Sequence, residues 1–299
     1  MSKLSLIHPQ PKGLEPYVIK AAIDPAAVTA CLWTSDQSLE SIPAWATRWP
    51  GPMSVLMTTA ALPSSTEHEA LLNRLSALQS QNPHVNSTLS LHLLHLDPKT
   101  PDNPNAFLNL ARLFAQTSRV VLFPGNFSSA PPKALYRSIL AQQSGPSASI
   151  EPAPGHIAFK HKPVIFTMRG QTSFPFSPLA PVMLARDDAV WCTERFFPPL
   201  SRAADWEECL WQVWLENFGD VDVRQSRGWL QEASPVLSAD SALAVSACIK
   251  LRRRLVAKYR SETCVLSTRQ LAALRGANKG VDAKKTRWLK RICRNWISA

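Results

Sequence analysis

An α/β domain on a central mixed sheet is what this sequence predicts, and three features predict it. Short apolar runs alternate with segments of helical periodicity, which is the signature of strands interleaved with helices. The apolar runs end at turns marked by proline or glycine. Hydrophobic residues make up 45% of 299 positions against 18% charged, enough to bury a large core.

The elements follow in order. Residues 1–25 are punctuated by prolines and are expected to form an irregular lead-in. Ala27–Trp33 (AVTACLW) reads as a first strand, and Ser38–Arg48 as a helix around Leu39, Ile42 and Trp45. After the break Trp49-Pro50-Gly51-Pro52, Met53–Thr58 is a second strand. Leu71, Leu72, Leu75 and Leu78 give Glu67–Gln81 helical spacing. Leu89–Leu96 alternates like a half-buried strand, so His92 and His95 fall on opposite faces and do not share a metal. Asn105–Gln116 places Phe107, Leu110, Ala111 and Phe114 on one helical face. Val120–Phe123 is a fourth strand that stops at Pro124-Gly125-Asn126, and Lys133–Gln142 is a helix leaving that turn. Residues 144–156 are rich in Ser, Pro and Gly and read as a loop. Pro163–Met168 is a fifth strand.

The segment DWEECLWQVWLENF at 205–218 is the clearest helix, with Asp205 as N-cap, Glu208 completing a capping box, and Trp211 and Trp214 on its apolar stripe. Two basic helices are expected near 240–260 and 282–297, the first lined by Leu243, Ala247, Leu251, Leu255 and Tyr259. The domain layout is therefore a lead-in (1–25), an α/β domain (26–235) and a basic helical extension (236–299).

Composition removes several classes of function. No run of about 18 uncharged apolar residues exists to span a membrane, and the first 30 residues lack the apolar block of a secretory leader. Six cysteines show neither a CxxC pair nor a zinc spacing, which argues against a disulfide scaffold and a zinc module. No GxGxxG and no P-loop is present. The net charge of +11 is a local property. Fifteen of the 33 Lys+Arg lie in 250–299 against Glu262 and Asp282, leaving 18 basic and 20 acidic residues for 1–249. A nucleic-acid enzyme would spread its cations along a groove, and no finger, homeodomain or RNA-binding signature is present, so nucleic acid is the weakest partner class. A solvated helix pair packed on the main domain, or a basic surface for anionic membrane, are the other uses of the tail. The sequons at Asn86 and Asn126 occur at chance frequency and do not locate the protein.

The order of motifs over roughly 27–230 resembles one family, the glycosyltransferases of family 49 (the LARGE-type enzymes). Trp49-Pro50-Gly51-Pro52-Met53-Ser54-Val55 is similar to its W-x-GP-[IM]-S-[VL] segment. Pro104-Asn105-Ala106-Phe107-Leu108-Asn109-Leu110-Ala111 resembles its P-x-N-x-x-RN-x-A helix, with Leu108 in place of the arginine. Pro181-Val182-Met183-Leu184 with Glu194-Arg195-Phe196 resembles its P-x-x-[IV]…DERF element. The resemblance implies a single GT-A-like domain that moves a sugar from a nucleotide sugar to a glycan acceptor, working in the Golgi lumen. It also implies a Mn²⁺ ion on an Asp-x-Asp turn after the fourth strand, where the cation offsets charge on the diphosphate leaving group. Here the two aspartate positions are Pro124 and Asn126, and the family's later histidine falls near Trp229-Leu230. A literal Asp220-Val221-Asp222 follows a helix and Gly219 instead, and reads as a solvated turn.

The implied site has Asp205 as general base, or simply as a helix cap, and Glu194 lining the acceptor site, or simply pairing with Arg195. Pro124, Gly125, Asn126, Arg186, Arg202 and Trp191 are its donor-binding residues, the arginines standing in for the missing metal charge. Trp191 and Trp229 have the polar or glycine neighbours of a pocket wall. No metal ligand is assigned. Two functions of different class remain: a glycosyltransferase, or a catalytically inactive relative that binds a glycan or a partner.

Overall fold

The computed structural model describes residues 13–125, 127, 130–143, 162–168, 170–195, 202–226, 229, 242–273 and 279–297. Its centre is a mixed sheet of eight strands in the order β1-β4-β3-β2-β5-β7-β6-β8. The strands are β1 (Gly13–Ile19), β2 (Val28–Ser35), β3 (Met53–Thr59), β4 (Leu89–His95), β5 (Arg119–Leu122), β6 (Val164–Thr167), β7 (Val182–Ala185) and β8 (Asp222–Gln225). The helices are α1 (Ile42–Arg48), α2 (Thr66–Gln81), α3 (Pro83–Thr88), α4 (Pro104–Leu113), α5 (Lys133–Gln143), α6 (Arg202–Glu216), α7 (Ala242–Ala273) and α8 (Lys279–Ile297). None of the helices searched is long and apolar enough to cross a membrane.

β2, β3, β4 and β5 run parallel, while β7 is antiparallel to β5 and β1 antiparallel to β4. Both faces are covered, which parallel sheets require because their crossover helices lie on either side. One core joins Val55, Leu91 and Val121 to Trp45, Leu75 and Ile139. The other joins Leu56, Val120 and Val182 to Phe107, Trp206 and Trp211.

β4 is therefore buried along its whole length, not half-buried as its alternation suggests. The polar residues of its pattern sit beneath α4 in a hydrogen-bonded column. Ser54 Oγ donates to the Ala111 carbonyl at 2.6 Å and meets His92 Nε2 at 3.1 Å, while the Tyr17 N–H donates to His92 Nδ1 at 3.0 Å. Burial pushes His92 down to about 4, so it stays neutral. His95 points to the opposite face, where it meets Glu15, as the period of two requires.

Other differences from the sequence reading have simple causes. Part of the lead-in is the strand β1, and its Pro16 is tolerated because β1 is a sheet edge. α6 begins at Arg202, so Asp205 lies inside its first turn and is not the N-cap. Glu208 closes no capping box. It is buried under α7, where Arg260 holds it bidentately at 2.7 and 3.1 Å. α7 runs on to Ala273, and its buried side is Arg260, Thr263, Cys264, Ser267 and Leu271, whereas Leu251 is exposed. Two cysteine pairs are disulfide-bonded, Cys192–Cys209 and Cys264–Cys293, which corrects the expectation drawn from spacing. Each bridge joins separate elements, so local spacing carries no trace of it.

The basic helices α7 and α8 pack against each other and against α6. Trp288 of α8 packs edge-on against Trp214, 5.0 Å between centroids. Gly219, at φ +77°, closes α6 by donating to the Trp214 carbonyl, and a Cβ there would come within 2.6 Å of the Trp288 ring.

Candidate functional site

From β2 the chain proceeds outward through β3 and β4, then returns to place β5 on the other side of β2. Between β2 and β5 the strand order reverses. Loops diverge at such a point, and in open α/β sheets ligands bind in the crevice beyond the carboxyl ends of the strands. Those ends are Ser35 with Asp36 on β2, and Leu122 with Phe123, Pro124 and Gly125 on β5. A Cβ added to Gly125 would meet nothing within 4 Å among the described residues. Beside it, at the ends of β2 and β3, is a cleft of about 600 Å³ lined by Asp36, Thr59, Ala61, Ser65, Glu67 and Arg74. Thr59 Oγ1 donates to Asp36 Oδ2 at 2.7 Å.

The polar groups at the end of β5 come from three segments. Helix α4 starts at this end of the sheet, and the chain 186–194 climbs along it from the opposite end. Asn105, Asn109 and Arg112 lie at helical spacing on one side of α4 and hold that climb. Arg112 donates to the carbonyls of Ala185, Arg186, Asp188 and Val190. Asn109 Nδ2 donates to the Cys192 carbonyl at 2.5 Å, and Asn105 Nδ2 to the Thr193 carbonyl at 3.1 Å. This ladder delivers Glu194 to the start of α4, where its Oε1 accepts the Asn105 N–H at 2.5 Å.

Arg202, the first residue of α6, completes the cluster. Its Nε donates to the Pro124 carbonyl at 3.2 Å and its Nη1 to Asn105 Oδ1 at 2.5 Å. Its Nη2 is buried and has no acceptor among the described residues. Burial pushes Arg202 down to about 10 while Glu194 and Asp205 hold it up, so it remains a cation at neutral pH. Burial also raises Glu194 above the ordinary carboxylate range, against the Asn105 N–H and Arg202. Asp205 Oδ1 accepts the Arg195 N–H at 2.6 Å, and Arg195 turns its guanidinium to Gln212 Oε1 at 2.8 Å. The ionic neighbour of Glu194 is thus Arg202, not Arg195.

Of the residues singled out in the sequence, Pro124, Glu194, Arg202 and Asp205 meet here, with Gly125 beside Pro124. Asn126 lies outside the described residues. Arg186 does not join them. It follows β7 at the far end of the sheet, beside Asp187 and the Ala115 carbonyl. Trp191 forms no wall of this crevice, because its ring is stacked under the Arg112 guanidinium at 4.2 Å. Trp229 packs on Phe123 at the end of β5, 5.8 Å between centroids. Asp220 pairs with Lys162 at 2.7 Å, both exposed, and Asp222 is an exposed residue of β8, so the literal Asp-x-Asp is a solvated edge.

The described residues of the turn itself, Pro124 and Gly125, bring no carboxylate to hold a cation. Pro124 offers only its carbonyl, which Arg202 already occupies. Among the described residues the one set of three groups able to share a metal is Glu15, His68 and His95, beside β4.

No family profile matches this sequence, and no curated protein sequence does. Among solved structures, the chain is similar to S. aureus TarS 1-349, with a TM-score of 0.44 at 10% identity over 88% of this chain and 69% of that one. Against the same protein in complex with UDP the TM-score is 0.45 at 12% identity, covering 91% and 72%.

Proposed function

We propose that this chain binds a nucleoside-diphosphate sugar beyond the carboxyl ends of β2 and β5 and transfers the sugar to a glycan acceptor. The observation that carries the reading is Arg202: a buried cation at the strand-order reversal, with one nitrogen lacking an acceptor among the described residues. A buried donor left without a partner costs about 1–3 kcal/mol, and a diphosphate oxygen supplies both the missing acceptor and the opposite charge. The motifs resembling family 49 point to the same place, since their metal-binding turn corresponds to Pro124–Asn126. Arg202 takes over the charge that a metal would offset.

In the transfer, a carboxylate removes the proton of the acceptor hydroxyl. The acceptor oxygen then bonds to the anomeric carbon while its bond to the diphosphate breaks, and the diphosphate leaves with the electron pair beside Arg202. Glu194 and Asp205 are the carboxylates in reach of that role. A nearby cation at a leaving phosphate and a positioned base are each established sources of rate.

The test is titration calorimetry with UDP, UDP-xylose and UDP-glucuronate, in EDTA and in Mn²⁺. Binding in EDTA is expected, weakened at least tenfold in Arg202→Lys, which keeps the charge but loses the planar fork. Failure of every donor to bind sinks the proposal. Release of UDP on adding acceptor should then fall about 10²–10⁴-fold in Glu194→Gln or Asp205→Asn, whichever supplies the base.

A second reading is binding without transfer. It is favoured by one observation: both carboxylates are engaged by backbone N–H groups, Asn105 at 2.5 Å and Arg195 at 2.6 Å. Donor binding with no turnover on any acceptor selects it.

A further inference from the structure

On the other side of the cleft, three side chains far apart in sequence converge on one point. Glu15 comes from β1, His95 from the end of β4 and His68 from the first turn of α2. His95 Nε2 is 3.0 Å from Glu15 Oε1, His68 Nε2 is 3.3 Å from Glu15 Oε2, and the two rings are 5.3 Å apart. Both histidines are buried, while the Glu15 side chain is about one-third exposed (33%), so the point they face is reached from solvent on one side.

The hydrogen bonds around this point leave a charge missing. His95 Nδ1 lies 2.6 Å from the Ala61 carbonyl, which can only accept, so Nδ1 carries the proton. Without a second proton on the ring, Nε2 turns its lone pair toward a carboxylate oxygen, another acceptor. Two acceptors 3.0 Å apart need a cation between them, either a proton or a metal. His68 Nε2 is buried and, although within ion-pair range of Glu15, is not aligned for a hydrogen bond with it or with any other described group.

We infer that Glu15, His68 and His95 bind a divalent transition metal, with zinc the best match to the donor set. Two imidazoles and a carboxylate form a known three-ligand zinc set, which leaves a fourth position for water. With metal–ligand bonds of about 2.0–2.1 Å, tetrahedral ligands lie about 3.3 Å from one another. The observed 3.0 and 3.3 Å, each to a different oxygen of Glu15, are of that size, and the three ligand atoms lie within 4.8 Å of one another, so a small closure of the two imidazoles completes the set. The Ala61 carbonyl orients His95 through its second nitrogen, as partners behind metal-bound histidines do. Loading displaces the cation-bridging proton and moves the His68 proton from Nε2 to Nδ1. The Ser64 N–H, which now donates to Nδ1 at 3.2 Å, is released in the same step. This site is independent of nucleotide binding at Arg202, and neither stands or falls with the other.

The experiment titrates untagged, chelator-treated protein with Zn²⁺ and with Co²⁺, following heat in buffers of different ionisation enthalpy and the cobalt absorption bands. One equivalent is expected to bind with proton release, and the cobalt spectrum to lack sulfur-to-metal charge transfer. Glu15→Gln, at the opening of the site, and His68→Asn should each weaken binding at least tenfold without unfolding the protein. The same loss is expected in His95→Ala. Absence of a one-equivalent site overturns the inference and assigns the bridging cation as a proton. Binding unchanged in both Glu15→Gln and His68→Asn, or a sulfur-ligated cobalt spectrum, overturns it as well.

Discussion

Two polar clusters lie at the same end of the parallel strands of this sheet, and they are built on opposite principles. At the end of β5, nearly every donor and acceptor is used: Glu194 takes a backbone N–H, Asp205 takes another, and Arg202 gives two of its groups to protein acceptors. At the end of β4, Glu15, His68 and His95 face one another with too few protons to go round. A satisfied cluster fixes the chain in place, because breaking it strands buried groups. An unsatisfied one adds little to stability by itself and waits for a ligand. The comparison predicts that substitutions in the first will be read in stability as well as in ligand binding, and in the second in binding alone.

The hardest blow to the first cluster falls at its root. Arg112 is fully buried and gives its guanidinium to four carbonyls of the 185–190 segment, so Arg112→Met removes a donor from each of them. A loss of about 3–5 kcal/mol is expected, the range for breaking a buried charged network. Urea unfolding of the two proteins measures it. A shift below about 1 kcal/mol would mean that the climb along α4 is held by something other than this ladder.

Arg202→Met attacks the top of the same cluster and should cost less, about 2 kcal/mol, the worth of a hydrogen bond to a charged group. It also sharpens the contrast, since Arg202 has an unused nitrogen. Thermal unfolding with saturating UDP is expected to stabilise the wild type and leave the variant where it was. Equal stabilisation of both would place the nucleotide elsewhere.

How much of this was legible in the sequence depends on whether the signal was local. The strands β2 to β5 and the helices α1, α2 and α4 announce themselves by period, as does the helix over most of α6, whereas α3 is too short to show one. The turn at Pro124 was found because an apolar run stops there. The ladder on α4 left a local signal that went unread, since Asn105, Asn109 and Arg112 repeat at i, i+4 and i+7 beside an apolar stripe. Its partners are backbone carbonyls 73 to 88 residues later, which no residue type marks. Glu15 was hidden because Pro16 made its strand look irregular, and His68 and His95 are brought together only by the order of β1, β4 and α2.

A smaller effect separates the clusters by pH. Burial holds Glu194 above its ordinary value of 4.5 in the folded chain, outweighing the Asn105 N–H and Arg202. A carboxyl raised in this way stabilises the fold while protonated, and that contribution is lost as pH rises through its folded value. The stability of the wild type relative to Glu194→Gln should therefore fall as pH climbs from about 4.5 and then level off. Paired urea titrations across that window decide it. A relative stability that climbs instead would show that the hydrogen bond and Arg202 outweigh burial.

The smallest effect is expected at Glu15, and its smallness is the point. The side chain is one-third exposed (33%), and its contacts with His68 and His95 are incomplete. Glu15→Gln in chelator-treated protein should shift stability by no more than about 0.5 kcal/mol, as partly exposed ion pairs do. With Zn²⁺ present the two proteins should part, because a ligand that binds only the folded chain stabilises it by an amount that grows with metal concentration. Thermal melts with and without Zn²⁺ give both numbers. If Glu15→Gln is strongly destabilising in the absence of metal, the proton-bridged carboxylate is itself a structural pin for β1, and the two clusters are built alike.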